Sequence, residues 1–529
     1  MLVYGDRSEF AAPAERLDQL REQLAQIAGM PPGIGRHAKL VCALIGAGQL
    51  LQGLADGGAS TDELSRFLYA LAKAAVRSSD SRFNYTGELP AVPSIRMESE
   101  VEIRLPEGFA FYAVYPESYI GSARKLRLSG PPRVIGIRSI GTTLGAVVAA
   151  VLQAPVPVTV RPFGDPFSRQ VELPPELIEM DVHYVVVDEG PGLSGSSFGA
   201  VADWLEDRGV PLDRIAFLPS HSGDLGPQAS GRHRERWAHA QRVAAEFDER
   251  FLSDRFGHID AFSTGESWER LKYVGMHEGR RVLLKFAGLG AIGERKLAMA
   301  RALHAAGFTA EPLELVHGFL VERWCEDAHA LNPRDKPIEQ IAAYIGARAR
   351  LFPARESEGA SLGLLLDMCR RNLSLALGDQ TASASVAWRA QLDGLSRRVV
   401  RVRTDNKLDR HEWLRLPSGR LLKTDAVDHH CAHDLIGCQD LAWDVAGVIV
   451  EFDLSHAEAG HFMRATERAA GQHVDRELLA FYRLAYCCFR LGRASLAGER
   501  QEADRYAAAA RCELHQHVCR ETRQDSLVG

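Results

Sequence analysis

The stretch Val185–Phe198 (VVVDEGPGLSGSSF) constrains the fold of this chain more than any other part of the sequence. An apolar run is followed by two adjacent carboxylates, Asp188 and Glu189, and then by a small-residue loop that leads into an amphipathic segment from about 199 to 207. This order predicts a buried strand, a turn and the start of a helix. Paired carboxylates can accept hydrogen bonds from neighbouring sugar hydroxyls, and a Ser/Gly loop ahead of a helix can offer N–H groups to a phosphate.

A diol and a phosphate held a few residues apart describe a ribose 5-phosphate. The stretch resembles the diphosphate-sugar-binding motif of type I phosphoribosyltransferases, and is reminiscent of the branch found in bacterial stress and tellurium-resistance gene neighbourhoods. The resemblance implies that the catalytic pair Asp188 and Glu189 holds the 2- and 3-hydroxyls. It assigns the 5-phosphate to four loop residues, Ser194, Gly195, Ser196 and Ser197. The chain departs from the family pattern by about one extra residue before the loop and by Ser in place of Thr. The alternative is an ordinary strand-turn-helix, and the adjacent Asp-Glu argues against it.

An earlier stretch, Val134–Leu144, also predicts a strand, a polar turn and an apolar helix. In the same family such a loop binds pyrophosphate through backbone N–H groups. The resemblance assigns this role to Arg138, Ser139 and Gly141, because glycine lets backbone approach a phosphate closely and arginine adds charge. Residues 156–169 predict a strand and a mobile loop that carries further arginines.

Composition limits the classes of protein to consider. The chain has 529 residues, which predicts two or three domains, and 46% hydrophobic and 25% charged residues, which is typical of globular proteins. A net charge of −6 gives no basic field for nucleic acid. The N-terminus lacks the features of a signal peptide, and the uncharged run 140–160 contains prolines that disfavour a membrane span. Nine cysteines without a CxxC pair predict reduced thiols and a cytoplasmic location. Homo-oligomerisation stays open.

The character of the chain changes at about 265. Residues 270–274 and 281–286 predict two strands joined by a turn, with Lys285 on the second strand, and Glu294 opens a predicted helix. Much later, Asp405 precedes a predicted strand hairpin, Asp425 follows that hairpin, and the Asp-Leu-Ala sequence at 440–442 opens a further helix. This order is similar to the aminoglycoside-phosphotransferase-like (choline-kinase-like) branch of the kinase fold.

The kinase resemblance implies a role for each of these residues. Lys285 contacts the phosphates of ATP and is oriented by Glu294, Asp405 is the base or positions the acceptor hydroxyl, and Asp425 holds magnesium. Asp444 is expected to anchor the catalytic loop. The chain departs from the family where the metal-binding Asn is expected, because Arg410 stands there, and Asn406 or His411 is the substitute. A convincing glycine-rich loop does not precede Lys285.

These patterns predict an α/β plus α+β protein with four parts. They are a helical region at 1–94, a phosphoribosyltransferase-like parallel sheet at 95–225, a helical connector at 226–264, and a bilobal kinase-like domain at 265–529. Residues 108–115 are predicted to form a strand, and 221–254 a connector with a long solvated helix.

The predicted function is that of a bifunctional cytoplasmic enzyme. One site uses phosphoribosyl diphosphate or a related ribose phosphate with magnesium, and the other transfers phosphate from ATP to a small-molecule hydroxyl. No nucleic acid and no membrane are expected as partners. The alternative is a non-catalytic regulator that senses nucleotide and phosphoribosyl ligands through a degenerate kinase-like module.

Overall fold

The computed structural model describes residues 1–5, 8–95, 99–192, 194–263 and 270–528. A helical layer comes first and packs on the sheet that follows it. Its elements are β1 (Ser8–Ala11), α1 (Pro13–Ala28), α2 (Ile34–Asp56), α3 (Asp62–Asp80), β2 (Val101–Arg104), α4 (Glu107–Phe111) and α5 (Pro116–Arg124). Leu17, Leu20, Leu24 and Ile27 recur at helical spacing and are buried along α1, which confirms the predicted helix. Strands β1 and β2 pair antiparallel and close this layer.

Helix α2 is the one helix of the described part that is long and apolar enough to span a membrane by length and composition. In this structure 67% of its most apolar stretch is buried inside the protein. Helices α1 and α3 flank it, which explains why it is apolar on more than one face.

A parallel sheet forms the centre of the N-terminal half. Its region contains β3 (Pro132–Ile137), α6 (Ile140–Leu152), β4 (Val158–Val160), β5 (Phe163–Asp165), β6 (Ser168–Gln170), β7 (His183–Val187), α7 (Ser196–Glu206), β8 (Ile215–Leu218), α8 (Gly231–His239) and β9 (Gln241–Arg242). The sheet has the order β4-β3-β7-β8-β9 with all neighbours parallel. The chain order therefore reverses between β3 and β7, where open α/β sheets form their ligand crevice.

An antiparallel sheet follows. Its region contains α9 (Arg250–Phe256), β10 (Asp260–Ala261), β11 (Lys272–His277), β12 (Arg280–Phe286), α10 (Ala291–Ala305), β13 (Pro312–Val316) and β14 (Phe319–Arg323). The strand order is β10-β11-β12-β14-β13. The predicted hairpin that carries Lys285 is confirmed as β11 and β12, with Lys285 opposite Lys272.

The rest of the chain is mostly helical. It contains β15 (His329–Ala330), α11 (Ile338–Leu351), α12 (Leu362–Leu377), α13 (Asp379–Ala384), α14 (Leu392–Ser396), β16 (Arg401–Val402), β17 (Trp413–Arg415), β18 (Leu421–Lys423), β19 (Gln439–Asp440), α15 (Leu441–Glu451), α16 (His456–Ala470), α17 (Arg476–Ala497) and α18 (Arg500–Val528). The predicted hairpin between Asp405 and Asp425 is confirmed as β17 and β18. Helices α15 and α17 pack through Trp443 and Tyr482, which are fully buried.

Two predictions of local structure were wrong. Residues 108–115 lie in α4 and the turn before α5, because Pro106 caps one helix and Pro116 begins the next. A short apolar run that is buried on all sides has no periodicity to separate helix from strand. The segment 221–254 contains α8, β9 and the start of α9 in place of one long helix. Strand β9 extends the parallel sheet beyond the predicted boundary at 225, and β10 begins the antiparallel sheet ahead of 265.

Close contact between β3 and α6 generates a prediction about stability. A Cβ added to Gly136 would lie 2.1 Å from the carbonyl oxygen of Gly141, so Gly136→Ala forces the backbone apart. We expect the free energy of unfolding to fall by about 1–3 kcal/mol or more. The matched control is Gly121→Ala on α5, where nothing lies within 4 Å of the new Cβ and alanine favours the helix. Denaturant unfolding measures both, and equal stability of the two variants contradicts the packing argument.

Candidate functional sites

The carboxyl edge of β7 carries the first candidate site. Both carboxylates are half-buried and held by backbone. The Glu189 N–H donates to Oδ1 of Asp188 at 2.8 Å, and the Gly108 N–H donates to Oε2 of Glu189 at 2.9 Å. The Tyr119 hydroxyl donates to the Asp188 carbonyl oxygen at 2.7 Å. The predicted pair is therefore fixed from α4 and α5, two contributors that the sequence pattern did not indicate.

Both carboxyls at this edge hold protons to unusually high pH. Burial raises the pKa of Asp188 to about 7. Burial, with the charges of Asp188 and Glu107 as smaller causes, raises the pKa of Glu189 to about 8. Strongly raised carboxyl pKa values in a crevice are typical of functional sites, because the protein accepts a desolvated acid there.

The loop after β3 lies beside this pair, because β3 and β7 are parallel neighbours and Gly136 is opposite Val187. Its Arg138 is an ion-pair partner of Asp56 from the end of α2, with Nε 3.4 Å from Oδ1. Arg161 also binds Asp56, at 2.5 Å, and donates to the Arg138 carbonyl oxygen at 2.8 Å. Burial raises the pKa of Asp56, but hydrogen bonds and charge from Arg161 outweigh it and leave that pKa below its usual range. A carboxylate thus occupies the arginines that were predicted to meet pyrophosphate.

Two other predicted residues of this loop have different surroundings. Ser139 is half-buried at the start of α6, and its side chain makes no capping hydrogen bond. Gly141 is buried, and a Cβ there would lie 2.5 Å from the Val187 carbonyl oxygen. Close packing of helix on sheet is therefore a sufficient reason for this glycine.

The Ser194–Ser197 loop leads into α7, as predicted, and contacts the β5–β6 hairpin. The hydroxyls of Ser194 and Ser196 donate to the carbonyl oxygen of Pro166, at 3.0 and 2.7 Å. Gly195 has a φ of 61° and stands against Leu225, so a side chain would be strained and crowded there. Ser197 is half-buried in the first turn of α7, where helix N–H groups have no intrahelical partner. Within 156–169, where the sequence predicts a strand and a mobile loop, the structure has the strand β4 and the β5–β6 hairpin.

The second candidate site is a cluster of buried charges between the antiparallel sheet and the segment after β18. The Nζ atom of Lys285 lies 3.0 Å from Oδ1 of Asp425, 3.2 Å from Oδ2 of Asp428 and 3.8 Å from Oε2 of Glu322. Burial lowers the pKa of Lys285, but these carboxylates outweigh it and raise the pKa well above its usual value. The sequence analysis gave Lys285 and Asp425 separate roles, and the contact between them is a finding of the structure.

Three more cations surround the same carboxylates. Lys272 lies 3.2 Å from Asp425, Lys296 lies 2.9 Å from Asp428, and Arg270 lies 3.1 Å from Asp428. The pKa values of both aspartates are below their usual range, because these cations outweigh the effect of burial. Among the described residues, Asp425 therefore contacts two of these cations, and Asp428 contacts three.

The prediction that Glu294 orients Lys285 was wrong. Glu294 is at the start of α10 and binds Lys39 of α2. The residue of α10 that reaches the charge cluster is Lys296, which is 2% exposed and binds Asp428. Residues two positions apart on a helix lie on different faces. Comparison of the sequence with a motif therefore could not show that Lys296, and not Glu294, reaches the cluster.

Asp405 is more enclosed than a catalytic base needs to be. It is 1% exposed, and Tyr344 donates a short hydrogen bond to it. Lys423 lies 3.4 Å from its Oδ1 atom and Arg348 lies 3.7 Å from Oδ2. Its backbone N–H donates to Asp444 at 2.8 Å, and burial, with Asp405 as the second cause, raises the pKa of Asp444 to about 6.

Arg410 stands where the metal-binding Asn is expected, and Asn406 and His411 are the two candidate substitutes. The three residues differ in their surroundings. Arg410 donates to the carbonyl oxygens of Asp335 and Phe452, away from Asp405. His411 has a side chain that is 55% exposed. Asn406 donates to the Gly437 carbonyl oxygen at 2.8 Å, and its Oδ1 atom is buried with no hydrogen-bond partner among the described residues.

Magnesium prefers hard oxygen ligands. Carboxylates from Asp425 and Asp428 stand together at Lys285. Both are of the ligand type that magnesium takes, and the metal role predicted from the sequence for Asp425 stays a prediction.

A cavity of about 570 Å³ lies behind this cluster, between the N-terminal helices and the helical region. Its wall includes Lys296, Arg403, Arg16 and the apolar side chains of Phe109 and Leu435. A mixed wall of this kind suits a small polar ligand. The cavity is separate from the Asp188 and Glu189 edge.

The raised pKa values at the sheet edge give a prediction about pH. The folded chain binds more protons than the unfolded chain from about pH 4 to pH 8, so these groups reduce stability as pH rises through that interval. The double variant Asp188→Asn, Glu189→Gln removes both titrations and keeps the accepting oxygens. We expect the melting temperature of the double variant to rise by a few degrees relative to that of the wild type as the pH increases from about 5.5 to about 8.5.

The control for this titration is Asp207→Asn, since the Asp207 side chain is 63% exposed. The melting temperature of Asp207→Asn should equal that of the wild type at each pH. A double variant that also runs parallel to the wild type contradicts the assignment of raised pKa values.

Comparison with known proteins gives structural similarity alone. No family model matches the sequence, and no curated protein matches it. Among solved structures, the choline kinase LicA from Streptococcus pneumoniae is 17% identical and is matched over 51% of this chain and 97% of that chain, with a TM-score of 0.38. Aminoglycoside phosphotransferase APH(4)-Ia is 16% identical over 50% and 97%, with a TM-score of 0.34. An ethanolamine kinase from Plasmodium vivax is 10% identical over 55% and 90%, with a TM-score of 0.34. Each is similar in structure to about half of this chain.

Proposed function

We propose that this chain is an ATP-dependent phosphotransferase acting on a small-molecule hydroxyl, with a second site for a ribose phosphate such as phosphoribosyl diphosphate. The observation that carries the first part is the contact of Lys285 with both Asp425 and Asp428, at 3.0 and 3.2 Å. Phosphoryl transfer depends on a cation at the phosphates and on carboxylates that hold the bridging metal.

Each residue of the cluster has a role in this proposal. Lys285 contacts the phosphates, and Asp425 and Asp428 hold magnesium, which would neutralise charge on the transferred group. Asp405 positions the acceptor hydroxyl. Asp444 fixes the loop by accepting from the N–H groups of Asp405 and Asn406, at 2.8 and 3.0 Å.

The ribose phosphate site rests on sheet topology and on the type of side chain. Asp188 and Glu189 end β7, and Arg138 and Ser139 follow β3, so both pairs lie where the chain order of the sheet reverses. In the proposal the carboxylates hold the 2- and 3-hydroxyls, the Ser194–Ser197 loop holds the 5-phosphate, and Arg138 exchanges Asp56 for pyrophosphate. Transfer at C1 passes through an oxocarbenium-like state, so the site acts by positioning and electrostatics.

The competing function is a regulator that binds both ligands without turnover. The observation that favours it is the enclosure of Asp405, whose carboxylate is in contact with Tyr344, Lys423 and Arg348. A carboxylate that is 1% exposed and already has these partners leaves little room for an acceptor hydroxyl beside it. The eight cysteines whose side chains the structure describes are free thiols, and the proposed location is the cytoplasm for either function.

Two substitutions separate these functions. Lys285→Met should abolish binding of ATP with magnesium, because it removes the central cation of the cluster. Asp405→Asn should leave ATP binding intact and lower phosphoryl transfer by about 10²–10⁴-fold. The measurements are calorimetry with ATP and magnesium, and mass spectrometry of products formed from ATP and a metabolite extract.

Arg281→Met is the matched control, because Arg281 is on the same strand and its side chain is 46% exposed. It should bind ATP like the wild type. Identical products from the wild type and Asp405→Asn contradict the transferase and favour the regulator, whereas unchanged ATP binding in Lys285→Met contradicts the site itself.

The ribose phosphate site has its own test. Above about pH 8, where both carboxyls are ionised, the double variant Asp188→Asn, Glu189→Gln should lose measurable binding of phosphoribosyl diphosphate with magnesium. The reason is that each charge-assisted hydrogen bond to the diol contributes about 1.5–3 kcal/mol. Asp207→Asn should bind like the wild type. Circular dichroism checks that the double variant is folded, and an unchanged dissociation constant ends the assignment.

A further inference from the structure

Three parts of the chain meet at a cluster of two histidines and one glutamate outside both candidate sites. His37 comes from α2, Glu117 from the first turn of α5, and His317 from the turn between β13 and β14. Nε2 of His37 lies 2.5 Å from Oε1 of Glu117, and Nε2 of His317 lies 2.7 Å from the same oxygen. One ligand atom from each residue falls within 4.8 Å of the others.

The cluster is buried and its rings are held in place. The side chains of His37 and His317 are 0% and 2% exposed. The ring of Phe83 packs on His37 with centroids 4.6 Å apart, and the ring of Phe251 packs on His317 at 5.4 Å. Burial of this extent excludes bulk water and makes every unsatisfied polar atom costly.

Hydrogen bonds among the described residues do not satisfy every polar atom of this cluster. Nδ1 of His37 lies 2.9 Å from the Ser78 hydroxyl, so one ring nitrogen has a partner and the other is directed at Glu117. Oε2 of Glu117 and Nδ1 of His317 are buried and have no hydrogen-bond partner among the described residues. Two imidazole N–H groups can satisfy one carboxylate oxygen, but they leave the second oxygen unpaired in the interior.

We propose that His37, Glu117 and His317 bind one zinc ion. Two imidazole nitrogens and a carboxylate are ligands that zinc takes in tetrahedral sites, with a fourth position for water. The Ser78 contact is of the kind that orients a metal-bound imidazole from behind. Zinc would replace the two hydrogen bonds that the Nε2 atoms now make to Oε1 of Glu117.

A tight hairpin turn fixes the position of His317. Val316 and Phe319 are paired, so His317 and Gly318 form a two-residue turn, and both have positive φ, as such turns require. The His317 carbonyl oxygen accepts from the Tyr115 hydroxyl at 2.6 Å, which ties this turn to the residues just before α5.

Zinc at this position would brace three regions of the fold. Helix α5 carries Glu117 at one end and, through Tyr119, contacts the Asp188 carbonyl oxygen. The ion would therefore join α2 and the antiparallel sheet to the helix that supports the carboxylate edge of β7. This role is independent of whether either proposed activity exists.

The test uses the full-length protein, stripped with a chelator and titrated with zinc sulfate. We expect one equivalent of zinc by calorimetry and by elemental analysis, and a rise in melting temperature. Cobalt substitution should give the visible absorption of a four-coordinate site. His37→Gln, Glu117→Gln and His317→Gln should each weaken zinc binding by more than about 100-fold, whereas Ser78→Ala should weaken it by about 10–100-fold, the range for outer-shell changes.

Matched controls separate this site from other histidines. His461→Gln removes a histidine that also lies 2.6 Å from a glutamate, Glu339, but at the surface, and should retain full zinc affinity. His430→Gln tests the His-rich stretch at 429–433. Zinc that is lost with His430 and kept in the His37 and His317 variants overturns the proposal. Less than one equivalent in the wild type also overturns it, even if the variants fail to fold, and identifies the cluster as a hydrogen-bonded contact.

Discussion

Buried charge at Lys285 is the constraint on which the second half of the structure depends. A lysine that is 1% exposed must be paired, because an isolated ammonium in the interior costs many kilocalories. Asp425 and Asp428 meet this need from the segment after β18, and Lys296 then balances Asp428 from α10. The pairing joins the antiparallel sheet to the helical region, so the same contacts that hold the fold together also define the candidate site. Loss of one member leaves an uncompensated charge, which is why stability and ligand binding are linked there.

One short segment connects the two candidate sites. Glu107 lies 2.9 Å from His433, next to the helical region, and the following residue, Gly108, donates to Glu189 at the edge of the parallel sheet. Farther along, Phe109 accepts from the N–H of Leu289 just before α10. Helix α4 therefore contacts the edge of the parallel sheet, the helical region and the residues just before α10. The segment carries no recognisable motif, because its contacts are made by backbone and by residues whose type is common at any surface.

Local sequence patterns predicted the strands and turns that hold the candidate site residues. They did not predict which distant residues surround those side chains. The runs before Asp188 and around Lys285 have the length and composition of buried strands, and both are strands. The hairpin between Asp405 and Asp425 could be read from two short apolar runs around a Ser-Gly turn. By contrast, Asp56 beside Arg138, Lys39 beside Glu294, and Tyr344 beside Asp405 are separated by long stretches of chain. No periodicity connects such residues, so their contacts could not be predicted.

The sequence by itself determined many of the strands, turns and helices, because these follow from the spacing of apolar residues and from the backbone preferences of glycine and proline. It did not determine the helices at 108–115 or the short elements within 221–254. It also determined which side chains stand at strand ends, and hence the two candidate sites. The tertiary structure decided how those side chains are paired. It gave Lys285 the carboxylates of Asp425 and Asp428, gave Glu294 a different partner, and brought His37, Glu117 and His317 to one point. Pairing depends on the distances between distant segments, and these are set by packing of the whole chain, since buried charges are stable only where a partner is already in place.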